Sequence, residues 1–168
     1  KSELLYCYGN HHFHNEEWAE TNMVHSLLCA KEWFNMDDCI VSYADIYYTF
    51  EVIKDLVNCT DDIAISYDPN WLDLWENRFH DVLSDAESFK LNQDNTLREI
   101  GQKANSISDI EGQYMGLLKF NPVAWRVFSN YWQSLSEEIR NTIDMTSMLQ
   151  KVIETEKIQI KAVEVQDS

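Results

Sequence analysis

The run Cys39-Ile40-Val41-Ser42-Tyr43-Ala44-Asp45 joins a short apolar, β-branched stretch to a single carboxylate. Turn-like Asp37-Asp38 precedes it and a helical pattern follows, so it reads as a central parallel strand. In sheets of that kind, ligands gather at the carboxyl ends of the strands. A carboxylate there suits Mg²⁺, which takes few protein oxygens and leaves its other positions to phosphates and water. Asp45 is therefore the candidate metal ligand and catalytic residue. The plainer alternative, an aspartate capping a helix over Ile46 to Val57, stays open.

Other residues carry weaker signals. His11, His12 and His14 would fit a metal if 11–14 formed a strand, since alternate residues share a face, but no further ligand stands at a telling spacing. Trp71 and Trp75, four apart, would share one helix face, and aromatic faces attract ammonium groups. Core packing is the simpler explanation of the pair, though Asp68, Asp73 and Glu76 nearby would add attraction for a cation. Glu111-Gly112-Gln113-Tyr114-Met115-Gly116 sets polar side chains and two glycines before an apolar strand, where a ligand could approach the backbone or the chain could simply turn. Neither a Ser/His/Asp order nor a Cys/His pair is present, so covalent catalysis has no support. The glycines, Gly9, Gly101, Gly112 and Gly116, form no phosphate-binding loop.

The elements that must position these residues alternate. Thr21 is placed to cap a helix carrying Val24, Leu27, Leu28 and Phe34. A helix through Phe50, Val52, Ile53, Leu56 and Val57 follows the Asp45 strand, and Ile63 to Tyr67 forms the next buried strand. Polar Glu87 to Leu91 and Thr96 to Gly101 suit a hairpin around Gln93-Asp94-Asn95. Met115 to Phe120 is a further strand, Pro122 opens a helix bearing Trp125, Phe128 and Trp132, and Asp144 caps a helix with an apolar stripe from Met145 to Ile153. Ile158 to Val165 closes the series as a strand. Strand and helix in alternation predict an α/β fold with a mostly parallel sheet flanked by helices, plus a small polar β-hairpin insertion. No repeat or linker divides residues 1–168, so one domain is expected.

The net charge of −16 opposes binding to a nucleic-acid backbone. A small anionic substrate is compatible with it, because a bound cation inverts the local charge. Cys7, Cys29, Cys39 and Cys59 lack C-x-x-C spacing and read as reduced, mostly buried thiols. Neither a membrane span nor a secretion signal is visible, which predicts a cytoplasmic protein.

Asn15-Glu16-Glu17-Trp18-Ala19-Glu20-Thr21-Asn22-Met23-Val24-His25-Ser26-Leu27-Leu28, followed by Ser42-Tyr43-Ala44-Asp45-Ile46, resembles the sugar-nucleotide and phosphocholine-type nucleotidyltransferases. There an Asn-rich loop leads into a Thr-Asn…Ser-Leu helix and then a strand ending in the metal-binding aspartate. Glu111 to Phe120 looks like the family's Gly-x-Tyr-x-Gly-Leu-x-Lys-Phe substrate strand. Asp144-Met145-Thr146-Ser147-Met148-Leu149 looks like its late helix, whose first turn faces the acceptor. The resemblance implies a Rossmann-like domain that moves a nucleotidyl group from CTP or another NTP to a phosphate- or phosphonate-bearing small molecule, releasing pyrophosphate. Asp45 would hold Mg²⁺; Glu111, Gln113 and Tyr114 would contact the acceptor; Asn22 would order the loop beside it. In a phosphocholine-type branch, Trp71 or Trp75 with Asp144 would hold an ammonium group. A homodimer is left open.

The family's opening Gly-x-Gly-x-Arg-x-x-Pro…Pro-Lys loop does not occur here, and Lys1 to Leu5 resembles the helix after its second strand. Asp167-Ser168 matches only the end of its late Trp-x-Glu-x-Asp-Ser segment. The chain is therefore expected to be an internal part of the family domain, inactive by itself if the flanking pieces are absent. Two rivals remain. A nucleotide-sugar glycosyltransferase would carry an Asp-x-Asp pair, which Asp45-Ile46-Tyr47 lacks. A catalytically silent ligand-binding domain would bind the acceptor without needing nucleotide or metal.

Overall fold

The computed structural model describes residues 11–165. In chain order the helices and strands are α1 (Met23–Leu28), α2 (Lys31–Phe34), β1 (Cys39–Ser42), α3 (Phe50–Asn58), β2 (Ile63–Asp68), α4 (Trp71–Arg78), β3 (Glu87–Leu91), β4 (Leu97–Lys103), β5 (Gln113–Phe120), α5 (Pro122–Ser134), α6 (Glu137–Thr142), α7 (Met145–Glu154) and β6 (Ile160–Glu164). Strands β1, β5, β2 and β6 form one sheet in that order, and β3 and β4 form the hairpin. The expected α/β architecture of a helix-flanked sheet with a hairpin is present.

The pairing differs from expectation at β1. It lies at the edge of the four described strands and pairs antiparallel with β5, with Cys39 opposite Phe120 and Ser42 opposite Leu117. It is accordingly half-buried, where β2, flanked on both sides, is buried throughout. Strand β5 is also antiparallel to β2, and β6 is parallel to β2. β1, β2 and β6 therefore run one way with β5 reversed between them.

The two faces of β2 explain its unbroken apolar sequence. Ile63, Ile65 and Tyr67 face the larger core with Trp125, Phe128, Met148 and Leu149; Ala64 faces a smaller core with Val52, Leu56 and Leu117. Within the larger core Phe34 stacks on Trp125 with ring centroids 4.2 Å apart.

Local chemistry sets the element ends. Asn121 accepts from the Ala124 N–H ahead of Pro122 in the first turn of α5, and Asp144 accepts from the Ser147 N–H at 2.7 Å at the start of α7. The cap of α1 is Asn22 rather than Thr21, whose hydroxyl instead donates to the Glu17 carbonyl. Helix α3 starts at Phe50 after Thr49, so Asp45 caps nothing. The hairpin is less polar than read: Phe89, Leu97 and Ile100 are buried in the main core. It is tied to α7 by the Ile100 N–H, which donates to Gln150 Oε1 at 2.9 Å. At the close approach of β4 to α7, Gly101 has φ +73° and a Cβ there would lie 2.8 Å from Thr146.

Residues 11–14 form no strand, and the Lys1 to Tyr8 helix and Asp167-Ser168 lie outside the described residues. Cys29, Cys39 and Cys59 are free but only half-buried, against the expectation of buried thiols. Among the described residues no helix is long and apolar enough to cross a membrane.

Candidate functional site

Because β5 runs against β1 and β2, its first residues lie at the edge where those two strands end. The chain leaving β1 is held there by Tyr43, whose N–H donates to the Gly116 carbonyl at 2.9 Å. Two residues later Asp45 sits in an exposed turn, its carboxylate held by no hydrogen bond or ion pair among the described residues.

Asp45, Asp68, Trp75, Arg78, Gln113 and Tyr114 line a cleft of about 450 Å³. Tyr43, Gln113 and Tyr114 also line an adjoining hollow of about 230 Å³, completed by Glu87, Asp144 and Thr146 among others. On the opposite side Tyr47, Asp68, Leu74 and Met115 pass into a third, more apolar depression of about 540 Å³. The three make one furrow along the sheet edge.

Most of the predicted residues lie in or near this furrow. Asp45, Gln113 and Tyr114 meet in the cleft. Gln113 is fixed by its Nε2, which donates to the Glu87 carbonyl at 2.9 Å. Asp144 lies in the hollow with its charge turned toward the α7 amino terminus. Asn22 stands outside the lining and staples α1 to the α6 end: its Nδ2 donates to the Thr142 carbonyl at 2.9 Å, and its N–H donates to the Asn141 carbonyl at 2.8 Å. That holds Met23 at the rim of the hollow.

Two candidates are not brought to the furrow. Trp71 is 3% exposed in the main core, edge-on to Trp75 at 6.0 Å, so its faces are consumed by packing. Glu111 turns to the hairpin, where its carboxylate accepts from the Leu91 N–H at 2.8 Å. Trp75 does line the cleft, and its indole N–H is buried without a hydrogen-bond partner.

The site also holds residues that sequence reading did not assign to it. Asp68 ends β2, 8% exposed, with Oδ1 accepting from the Asn70 N–H at 2.7 Å. Arg78, at the end of α4, is the cation of the cleft. Glu87 heads β3; the only signal in the sequence is an acid opening a strand whose next residues are buried.

Burial dominates the electrostatics. Tyr43 is pushed up to about 12 by burial, with the charges of Asp144, Glu87 and Asp45 adding to it. Tyr114 is raised well above the usual phenol by burial and by Tyr43 beside it. Glu87 is raised chiefly by burial, opposed by a hydrogen bond from Thr146 and reinforced by the Asp144 charge. Both phenols therefore stay protonated at neutral pH.

Among the described residues no group of three or more His, Cys, Asp or Glu side chains is arranged to hold a metal. His11 instead packs edge-on to Trp33 at 5.1 Å. The free Asp45 carboxylate does fit a hard cation such as Mg²⁺, which needs one or two carboxylates when phosphates complete its shell.

No family model matches the chain. In fold it aligns with the structure of the inositol-1-phosphate CTP transferase from T. maritima at a TM-score of 0.64 and 14% identity, covering 89% of this chain and 54% of that one. Met23 at the start of the first helix, the Asp45 turn and the Gln113 to Gly116 end of β5 line this furrow. In sequence the chain is 36% identical over 155 residues to the CTP:phosphoglutamine cytidylyltransferase of Campylobacter jejuni, covering 86% of this chain and 61% of the relative. The chain is thus similar to nucleotidyltransferases in both sequence and fold, and it spans about 61% of the length of the curated relative it matches.

Proposed function

We infer that residues 1–168 act as one unit of a nucleotidyltransferase that moves a nucleotidyl group from an NTP to a phosphorylated or phosphonate-bearing small molecule. CTP is the nucleotide favoured, because the curated relative is named a CTP-dependent cytidylyltransferase. An oxygen of the acceptor phosphate forms the new bond to the α-phosphorus; the bond from that phosphorus to the bridging oxygen breaks, and its electron pair leaves with pyrophosphate.

The observation that carries this reading is the convergence of Asp45, Gln113 and Tyr114 in one cleft with no nucleophile among its lining residues beyond carboxylates and phenols. A reaction between two phosphates asks for positioning and charge compensation rather than a covalent intermediate. Asp45 would hold Mg²⁺, which when bound neutralises triphosphate charge. Gln113, anchored through the Glu87 carbonyl, fixes the floor of the cleft, and Arg78 offers a guanidinium to a phosphate oxygen. Trp75 supplies a buried N–H that lacks an acceptor until a ligand arrives.

Calorimetric titration of CTP into the chain, with and without Mg²⁺, tests the assignment. Asp45→Asn is expected to lose the Mg²⁺-dependent part of binding while keeping its Tm, since the side chain is exposed and makes no hydrogen bond among the described residues. Unchanged Mg²⁺-dependent binding in that variant would remove Asp45 from the site.

A further inference from the structure

We propose that Tyr43 is the positioning residue of the Asp45 turn: its hydroxyl ties the segment that carries the carboxylate to α1 and to β5 at once. The use of that carboxylate for Mg²⁺ rests on the nucleotidyltransferase reading; the tether rests on the geometry around Tyr43.

Asp45 has no anchor of its own. Residues 44–48 lie outside helix and strand and make no backbone hydrogen bond to the sheet among the described residues. Beyond Asp45, Ile46 and Tyr48 are only partly buried against the smaller core. The last backbone tether before Asp45 is the Tyr43 N–H, donated to the Gly116 carbonyl at 2.9 Å. A segment with few backbone bonds and few buried contacts opens at little cost, so the side chain at its root carries much of its order.

That side chain is held from two directions. The Tyr43 hydroxyl donates to Met23 Sδ at 2.8 Å. With its one proton spent on the sulfur, it meets Tyr114 as an acceptor, and the Tyr114 hydroxyl is hydrogen-bonded to it. The two rings also meet edge-to-face, with centroids 5.9 Å apart and planes at 86°. Donation therefore runs from Tyr114 on β5 through Tyr43 to Met23 on α1. Met23 is a fixed end of this chain, because Asn22 before it joins α1 to the Thr142 and Asn141 carbonyls of α6. Removing the central hydroxyl breaks both bonds at once.

Two measurements on the chain separate the tether from its use. Amide hydrogen exchange at Tyr43, followed without nucleotide or metal, reports the tether. The Mg²⁺ concentration that gives half-maximal CTP binding reports the positioning of Asp45. Tyr43→Phe keeps the ring and Met23→Leu keeps the bulk, and each removes one end of the same hydrogen bond. Each is expected to speed the exchange and to raise the Mg²⁺ midpoint about threefold, and the double variant should do no more than Tyr43→Phe alone. Met23→Gln, whose carboxamide oxygen can still accept, should recover most of the loss seen in Met23→Leu. Unchanged exchange in both single variants, additive effects, or a Met23→Gln variant that behaves as Met23→Leu would overturn the tether. Faster exchange with an unchanged Mg²⁺ midpoint would overturn the positioning role. Failure of the nucleotidyltransferase reading would look different: no Mg²⁺-dependent CTP binding by the wild-type chain, with exchange still responding to the variants. That result would remove the positioning role along with the reading and leave the tether standing.

Discussion

The ring of Tyr43 lies against the backbone of Gly116, so closely that a Cβ on the glycine would sit 2.9 Å from the ring carbons. Gly116 also has φ +78°, and its carbonyl accepts from the Tyr43 N–H. This contact fixes the turn that carries Asp45 on one side and shapes the hollow on the other.

Gly116→Ala is therefore expected to cost about 1–2 kcal/mol from the left-handed backbone alone, with displacement of Tyr43 adding to it. Urea denaturation should show the lower midpoint. Calorimetry should show weaker Mg²⁺-dependent CTP binding even at temperatures where the variant is folded, because the Asp45 turn loses its anchor.

The two neighbouring tryptophans should part company. Trp71→Ala empties a core position and is expected to cost roughly 3–5 kcal/mol. Trp75→Phe keeps a ring in the half-buried position and removes only the unpartnered N–H. It should leave the thermal midpoint near wild type and weaken ligand binding. Thermal melts and CTP titration on both variants check the contrast.

Glu87 makes stability depend on pH in a definite direction. Its folded pKa is raised from the ordinary 4.5, mainly by burial, so the folded state holds the proton more tightly than the unfolded chain. The stabilisation from that proton is complete below the ordinary value and is lost as pH rises through the folded one. Glu87→Gln should thus match wild type below the ordinary value and exceed it increasingly as pH rises above it until the folded carboxyl ionises, read from denaturation midpoints across a pH series. A constant offset at every pH would contradict the burial account.

Lys119 offers a control at the far end of β5. It is 5% exposed; its Nζ donates to the Cys59 carbonyl at 2.6 Å and lies 3.1 Å from Asp38 Oδ2. Lys119→Met should destabilise by about 1–3 kcal/mol through the carbonyl left unpaired. CTP binding measured below the melting range should not change, since the furrow is at the opposite end of the strand.

The sequence made the fold legible wherever local chemistry and burial agreed. Ile63 to Tyr67, Pro122 and the Asp144 cap read correctly because an unbroken apolar run, a first-turn proline and an acid before an apolar stripe each have one dominant structural cause. The pairing of β1 did not read, because an apolar strand looks alike at the centre and the edge until its neighbours are known. Asp45, Gln113, Tyr114 and Asp144 were found through motif resemblance; Glu87 and Arg78 were not, since nothing in their immediate neighbours distinguishes a site acid or base from a solvated one. Glu111 shows the converse: its motif position suggested a ligand contact, whereas its backbone hydrogen bonds bind it to the hairpin.

The reversed strand β5 also sets the order in which the molecule can assemble. β1 and β2 do not touch as a pair; each is hydrogen-bonded to β5, so Ile40 and Ala64 are bridged only through Lys119. During synthesis β1 and β2 emerge before β5, so the bridge between them waits until Phe120 is out. Such long-range pairing slows folding and leaves apolar edges uncovered meanwhile. A ribosome stalled before Gln113 should hold a chain in which β3 and β4 can pair but β1 and β2 still lack the strand that joins them.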